Sequence, residues 1–181
     1  MRVYGPGSPM SRVQMVASLI DEAAIKRIQL QYCRGIDRQD WELVRQCFHP
    51  GTSHHVGPYD GPLDGFILWL PEVLSGFECT THFSGNQLVQ VDGDVARAEQ
   101  YVRAYHRPPV TDDVIAREWI VNLRYLDRFE RREGSWRIAR RVLVTDSARE
   151  DTLTAVADLG PEWLRGSRFP SDLSYVAATQ L

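Results

Sequence analysis

The 181-residue sequence predicts an α+β fold, in which a cone-shaped, curved antiparallel sheet wraps around N-terminal helices. In the first half of the chain, apolar residues recur at helical spacing. From Thr80 onward, long runs alternate between apolar and polar side chains, and the short turn signals "DGD" and "REG" join these runs into hairpins. Helices followed by long antiparallel strands pack on one face of the sheet, and a strongly bent sheet leaves an open pocket.

Three helical segments are predicted before the long strands. Asp21 caps the first, which runs to about Ile36 because its apolar residues recur at near-helical spacing. Asp40 caps a second, short helix that Pro50 ends. After a brief strand in "GTSHHVG", the apolar segment "GPLDGFILWLPEVLSGF" forms the third, which Pro71 can kink or restart.

The first hairpin decides which strand residues share a face. Alternation from Ala96 to His106 separates the two faces of one strand. If the hairpin folds about position 94, His82 lies directly opposite His106 on the same face. The pattern alone is equally compatible with two hydrogen-bonded histidines of the core or rim and with two histidines of a functional site.

Composition and charge exclude several classes of protein. The length suits one domain, and the net charge of -3 with interspersed signs lacks the basic stripe of a nucleic-acid binder. No apolar run is long enough to span a membrane, and "MRVYGPGSPMS" is not expected to be a secretory signal. Cys33, Cys47 and Cys79 form neither CxxC nor a zinc pattern, which predicts a reduced, cytoplasmic protein. The adjacent His54 and His55 would point to opposite faces of a strand, which favours surface positions over a metal site.

One carboxylate and one imidazole are the candidates for proton transfer. His82 stands in "TTHFSGNQ", where its neighbours on the same face are small or polar. Asp37 ends the apolar face of the first helix and can point into the pocket, although aspartate is also a common turn or cap residue. A carboxylate that accepts from one ring nitrogen fixes the tautomer and makes the other nitrogen more basic. That arrangement suits a general base.

The segments "YCRGIDRQDWE", "CTTHFSGN" and "DRFERREGSWRIARRVL" resemble the SnoaL-like branch of the nuclear transport factor 2-like superfamily. Within it, the sequence is similar to the scytalone dehydratase, bile acid 7α-dehydratase and hexachlorocyclohexane dehydrochlorinase group. The resemblance implies a cystatin-like α+β barrel, placed at residues 16–147. Residues 1–15 are then expected to be a flexible tail, and residues 148–181 an extension that covers the pocket mouth or a neighbouring subunit.

The resemblance also implies the roles of individual residues. Asp37 and His82 match the catalytic dyad, and Tyr32 matches a catalytic tyrosine of the bile acid enzyme. The dehydrochlorinase has a lysine at the position of Tyr32, which disfavours dehydrohalogenation. His106 matches a second pocket histidine of scytalone dehydratase. Arg141 or its neighbour Arg140 matches a pocket arginine, and the candidate is Arg141, because only one of the two can face inward. The substrate-binding candidates are Trp69, Asn86 and Val102.

The implied activity is that of a lyase that needs no cofactor and no metal. The expected reaction is a dehydratase-type elimination, or a retro-aldol cleavage, on a hydrophobic oxygenated aromatic or polycyclic small molecule. His82 would remove a proton and His106 would protonate the leaving group, while Tyr32 and Arg141 would stabilise the oxyanion. One alternative is a non-catalytic ligand-binding or structural module similar to dioxygenase β-subunits, with a filled pocket and no contact between Asp37 and His82. The other is a polyketide cyclase or isomerase.

The resemblance further implies self-association. A homo-oligomer is expected, with a trimer favoured over a dimer, because the alternation of apolar and charged residues on the strands suits a polar-rimmed interface. No nucleic-acid or membrane partner is expected.

Overall fold

The computed structural model of the chain describes residues 11–110, 117–153, 157 and 159–177. Three helices and six strands follow one another in the described residues, and the α+β architecture predicted from the sequence is confirmed. In chain order the elements are α1 (Arg12–Arg38), α2 (Trp41–Gln46), β1 (Ser53–Val56), β2 (Tyr59–Pro62), α3 (Leu63–Leu74), β3 (Cys79–Asp92), β4 (Val95–Arg107), β5 (Arg117–Arg132) and β6 (Ser135–Thr152), followed by a 3₁₀ turn at Leu173–Tyr175.

The strands form one curved six-stranded sheet in the order β2-β1-β6-β5-β4-β3. Strands β3 to β6 make an antiparallel meander, whereas β1 joins β6 in parallel through His55 and Val142, so the sheet is not purely antiparallel. Irregularities interrupt the register after Ser84 in β3 and after Asn122 and Arg128 in β5. Such bulges bend a strand and increase its twist, which helps the sheet curve around the helices.

Helix α1 begins earlier than the sequence predicts. Ser11 and Gln14 form a capping box, in which Ser11 Oγ accepts the Gln14 N–H at 3.3 Å and Gln14 Oε1 accepts the Ser11 N–H at 2.9 Å. Asp21 is therefore not a cap but a mid-helix residue, and its carboxylate accepts a hydrogen bond from Trp136 Nε1 at 2.8 Å. Residues 12–15 are helical instead of belonging to a tail, and residues 1–10 lie outside the described residues.

The end of α1 is held close to α2 by a tight turn. Gln39 adopts a left-handed conformation with φ of 54°, and Asp40 caps α2 by accepting the Leu43 N–H at 3.0 Å, as predicted. Gly35 permits the close approach, because a Cβ at this position would lie 2.7 Å from a Val44 methyl group. This turn fixes the direction in which the last residues of α1 face the sheet.

The first hairpin differs from its predicted register in two places. Its turn consists of Gly93–Asp94, which shifts the pairing near the turn by one residue from a fold centred on position 94. A bulge between Ser84 and Gln87 shifts the rest of the hairpin by one more residue. Because side chains alternate with a period of two, the total shift of two beyond the bulge leaves His82 and His106 on the same face, as predicted, whereas the shift of one between the bulge and the turn changes which residues share a face there.

The core lies between the concave face of the sheet and the helices. Its fully buried members come from α1, α3, the loops and the central strands, and include Ile25, Phe48, Phe66, Phe129 and Ile138. Among the helices in the described residues, none combines the length and the apolar character needed to cross a bilayer.

The C-terminal region begins later than predicted. Strand β6 continues to Thr152, so the first residues of the predicted extension, 148–152, belong to the sheet. Further along, residues 168–175 contact α1, where the Phe169 N–H donates to the Arg38 carbonyl at 2.7 Å. Residues 154–156, 158 and 178–181 lie outside the described residues.

His54 in β1 is fully buried, although the sequence favoured a surface position. Its Nδ1 accepts the main-chain N–H of Arg141 at 3.2 Å, and its Nε2 lies 2.8 Å from the hydroxyl of Thr52. That hydroxyl already donates to the His49 carbonyl, so Nε2 carries the proton and donates. Burial, assisted by the charge of Arg141, lowers the pKa of His54 to about 4, and the ring is neutral in the folded protein near pH 7.

Because His54 is buried and neutral, we predict that the free energy of unfolding decreases in mild acid. The folded-state pKa lies below the ordinary value of about 6.5, so the unfolded chain binds more protons between those two pH values. The contribution of His54 is present above about pH 6.5 and is lost as the pH falls towards 4, with a loss on the order of 2 kcal/mol. Urea unfolding between pH 7 and pH 4.5 measures it. His54→Gln should make the free energy of unfolding less dependent on pH, whereas His55→Gln at the neighbouring position should leave that pH dependence unchanged. Equal slopes in the two variants would assign the acid loss to other groups.

Candidate active site

Asp37 and His82 meet where the last turn of α1 crosses β3. Asp37 Oδ1 lies 2.7 Å from His82 Nδ1, and Asp37 Oδ2 accepts the main-chain N–H of His82 at 2.8 Å. The side chains are only 12% and 6% exposed, respectively. Because an ionised carboxylate can only accept, Nδ1 carries the ring proton, and Nε2 keeps its lone pair. No other described residue hydrogen-bonds to this ring. The arrangement is that of an oriented general base.

A cavity of about 280 Å³ lies on the inner side of His82. Tyr32 and Ile36 line it from α1, Trp69 lines it from α3, and His106 lines it from β4. Further walls come from β5, β6 and the loop after β1, and most of the lining is apolar. A concave apolar cavity with a few converging polar groups is the usual form of a small-molecule site. The predicted residues Tyr32, Trp69, His82 and His106 are therefore brought together.

His106 is a diagonal neighbour of His82 and not its directly paired partner. His82 pairs with Ala104, and His106 pairs with Thr80, so the predicted pairing is wrong by two residues. The two imidazoles still share a face, with ring centroids 5.5 Å apart and planes at 89°. Burial and then the neighbouring His82 lower the pKa of His106 to about 4. His106 is thus neutral near pH 7, which is unsuited to the expected role of cationic proton donor.

Two tyrosines line the same cavity. Tyr32 was a candidate from the sequence, whereas Tyr125 on β5 was missed. Their rings meet edge to face at 5.4 Å. Burial raises the pKa of Tyr32 to about 12, against an opposing effect of Arg141, and burial also raises the pKa of Tyr125 well above its ordinary value. Both phenols therefore keep their protons near pH 7 and can serve as hydrogen-bond donors. Strand alternation places Tyr125 on the inward face, which is the only signal that the sequence offered.

Arg141 faces inward, as expected, but it does not line the cavity. Its side chain is fully buried, and it forms a two-pronged ion pair with Asp127, with Nε and Nη2 each 2.7 Å from a carboxylate oxygen. The guanidinium carbon lies 4.0 Å from the ring centroids of both Tyr32 and Tyr125, so Arg141 sits behind the phenols. This position does not support the expected direct role at a substrate, because Nε and Nη2 of Arg141 face Asp127 and not the cavity. Arg140 is exposed and donates to the Ser53 carbonyl at 3.1 Å.

Two of the three substrate-binding candidates lie elsewhere. Asn86 falls within the β3 bulge, which turns its side chain to solvent instead of into the pocket. Val102 is buried in the hydrophobic core. It lies two residues along β4 from Ala104, which does line the cavity. In the part of the chain that the structure describes, no group of three or more His, Cys, Asp or Glu side chains is placed to bind a metal ion.

Comparison with known proteins places this geometry in a family. The SnoaL-like domain family matches residues 17–142. No protein of the curated set matches the chain. Among solved structures, a proposed scytalone dehydratase from Novosphingobium aromaticivorans has 21% identity and a TM-score of 0.66, with 81% of this chain and 97% of that chain covered. The hexachlorocyclohexane dehydrochlorinase LinA-type3 from Novosphingobium barchaimii has 15% identity and a TM-score of 0.66, with 81% and 99% covered.

A protein from Kribbella flavida is similar to the same degree, with 22% identity, a TM-score of 0.66 and coverage of 73% of this chain and 95% of that chain. At these identities the likeness to solved structures establishes the fold alone. The family match spans most of the chain and includes both Asp37 and His82. The chain therefore belongs to the SnoaL-like domain family.

Proposed function

We propose that the protein is a cofactor-independent lyase in which His82 is the general base and Asp37 orients it. One observation supports this proposal above the others. Asp37 binds both the ring Nδ1 and the main-chain N–H of His82, while the same imidazole borders an apolar cavity. Of the two ring nitrogens, Nε2 is then free to take a proton from a bound substrate. The Asp37 carboxylate stabilises the imidazolium that forms.

The proposed reaction is the loss of water from an oxygenated substrate. His82 Nε2 removes a proton from the carbon next to a carbonyl, and the electron pair of the broken C–H bond forms an enolate. Tyr32 and Tyr125 keep their protons near pH 7 and can donate hydrogen bonds to the enolate oxygen. When the enolate collapses, the carbon–carbon double bond forms and the β-hydroxyl leaves, taking the proton from the His82 imidazolium as water.

Two residues receive revised roles in this proposal. His106 has a pKa of about 4, so near pH 7 it contributes a neutral N–H or lone pair and not an acidic proton. Arg141 acts from behind Tyr32 and Tyr125, where its charge faces both rings. Negative charge that develops on an oxygen bound by these phenols would be stabilised by that buried cation.

The cavity limits the class of substrate. About 280 Å³ lies at the lower end of the range for small-molecule sites, which favours a substrate of one or two rings over a larger polycyclic one. Trp69 and the aliphatic walls suit an aromatic or alicyclic body, and the few polar groups lie near His82. The names of the two Novosphingobium proteins refer to elimination reactions on ring compounds, which is consistent with this choice.

The alternatives from the sequence differ in what they require. A non-catalytic module would have a filled pocket and no contact between Asp37 and His82, and both features are contrary to the observed geometry. A cyclase or isomerase would use the same base without a leaving group. It is the second candidate, because a dyad that forms an enolate can also return the proton to another carbon. Only the products distinguish this case from a lyase.

We also propose that the protein acts in the cytoplasm as a homo-oligomer, with a trimer favoured over a dimer. The first turns of α1 expose large apolar side chains, with Val13, Leu19 and Ile20 exposed by 79%, 62% and 64%. Contiguous apolar surface of this kind is typical of contact sites. A second copy of the chain is the partner we favour, since the dehydratases that it resembles are trimers.

Removing either member of the dyad should abolish most of the activity. We expect His82→Ala and Asp37→Asn each to lower kcat/KM by about 100- to 10,000-fold, because loss of a positioned general base has that effect. Steady-state kinetics on a substrate found by screening measures the change. His55→Ala, at an exposed histidine, is the matched control and should keep the activity. Near-normal turnover by both dyad variants would refute the proposed mechanism.

The products should separate a lyase from an isomerase. We expect β-hydroxy ketones fused to one aromatic ring to give a conjugated ketone and one equivalent of water. Ultraviolet absorption follows the new conjugation, and mass spectrometry follows the loss of water. A rearranged product of unchanged mass would favour the isomerase, and binding without any product would favour the non-catalytic module.

The state of association can be measured directly. Light scattering coupled to size exclusion should give about three times the 20.7 kDa chain mass, and Leu19→Glu with Ile20→Glu should lower that value by placing charges in the contact. The same pair of substitutions should leave the far-ultraviolet circular dichroism unchanged, since both side chains are exposed. A monomeric wild type would rule out the oligomer.

A further inference from the structure

The C-terminal segment carries an arginine that joins the two chain segments from which the dyad projects. Arg168 Nη1 donates to the main-chain carbonyl of Asp37 and to Thr80 Oγ1, the latter at 2.8 Å. Arg168 Nη2 donates to the carbonyls of Phe77 at 3.2 Å and Glu78 at 3.0 Å. One half-buried guanidinium thus binds the end of α1 and the start of β3 together.

The acceptors explain why an arginine suits this position. The Asp37 carbonyl is one of the last four carbonyls of α1, and these accept no hydrogen bond from another residue of the helix. A cation is also favourable at this end of a helix because of the helix dipole. Phe77 and Glu78 precede β3, so their carbonyls are not used by the strand pairing of the sheet. The planar guanidinium presents its N–H groups in a rigid fork that can reach both sets of acceptors at once.

We propose that Arg168 is a positioning residue for the general base, an inference that rests on the proposed function of the dyad. The guanidinium binds the backbone of Asp37 itself and the side chain of Thr80, two residues before His82. It therefore sets the spacing between the chain segment that carries the carboxylate and the one that carries the imidazole. The 2.7 Å contact between Oδ1 and Nδ1 depends on that spacing.

Arg168 is itself held by the segment around it, residues 167–177, which we call the C-terminal strap. The Phe169 N–H donates to the Arg38 carbonyl at 2.7 Å, and Arg34 Nη2 donates to the Ser174 carbonyl at 2.8 Å. The Asp172 carboxylate accepts the Ser174 N–H at 3.0 Å and lies 3.5 Å from Arg38 Nε. The C-terminal strap is thus anchored on the last two turns of α1, on the side of the dyad away from the cavity.

The experiment measures the dyad directly and needs no substrate. The Nδ1 proton of His82, bonded to a carboxylate, should give a far-downfield proton resonance, which can be assigned by its disappearance in His82→Gln. We expect Arg168→Gln to weaken or abolish this resonance at temperatures where circular dichroism shows a folded protein. Arg165→Gln, at an exposed arginine three residues before Arg168, is the matched control and should keep the resonance.

Two further variants separate positioning from general stability. Arg168→Lys keeps the charge, but one ammonium cannot reach the acceptors on both α1 and β3, so the resonance should remain weak. In Arg168→Ala, low concentrations of free guanidinium should restore the resonance in part. A merely destabilised protein would be harmed and not repaired by this denaturing cation. A wild-type resonance in Arg168→Gln, or failure of guanidinium to restore it in Arg168→Ala, would overturn the proposal.

Kinetics then test whether the contact matters for turnover. Displacing a catalytic group by about 1 Å costs on the order of 100-fold in rate, so Arg168→Gln should lower kcat roughly 10- to 100-fold while KM changes little. If Arg168→Gln loses the resonance but His82→Ala keeps full activity, the positioning role stands and the proposed function fails. If His82→Ala is inactive and Arg168→Gln keeps both resonance and kcat, the proposed function stands and the positioning role fails.

Discussion

The contact between the end of α1 and β3 is the constraint on which the site depends. A single carboxylate uses both of its oxygens on one residue, because Asp37 accepts from the ring and from the main chain of His82. The main-chain bond fixes where the strand lies relative to the helix, and the ring bond fixes the imidazole. The tight turn at Gly35 and Gln39 determines where the helix ends, so the packing of α1 against α2 sets the position of Asp37.

A buried ion pair between Arg141 and Asp127 lies behind the wall of the cavity. Asp127 neutralises Arg141 and also accepts from Gln29 at 3.2 Å, so the pair is embedded in a hydrogen-bonded network. Removing one member of such a pair leaves an uncompensated buried charge, which typically costs about 3–5 kcal/mol. In the proposed mechanism the ion pair acts on a substrate only through the phenols of Tyr32 and Tyr125. It gives the rings of Tyr32 and Tyr125 a fixed cation to pack on and orders the phenols that face the cavity.

Much of the fold followed from periodicity, and the errors came from interactions that periodicity does not encode. The strand faces of His82 and His106 were correct despite the wrong register, because two shifts of one residue preserve the face. Asn86 was misplaced because a bulge leaves no distinct pattern in a polar stretch. The start of α1 was missed because its first turns are apolar yet exposed, and Arg168 was missed because irregular segments have no period from which contacts can be inferred.

In the proposed mechanism, the surroundings of the dyad explain how it could act without a cofactor. His82 borders both the apolar cavity and an outer groove of about 460 Å³ that is open to solvent, whereas Asp37 borders only the outer groove, beside Arg34 and Arg38. A proton taken from a substrate would create a cation next to an apolar cavity, which is unfavourable in isolation. Here the compensating carboxylate is already in contact with the imidazole. Proton transfer then moves charge within a pair and does not create a lone ion in the cavity. The C-terminal strap closes part of that outer side, so the same segment that carries Arg168 also governs how much solvent reaches the carboxylate.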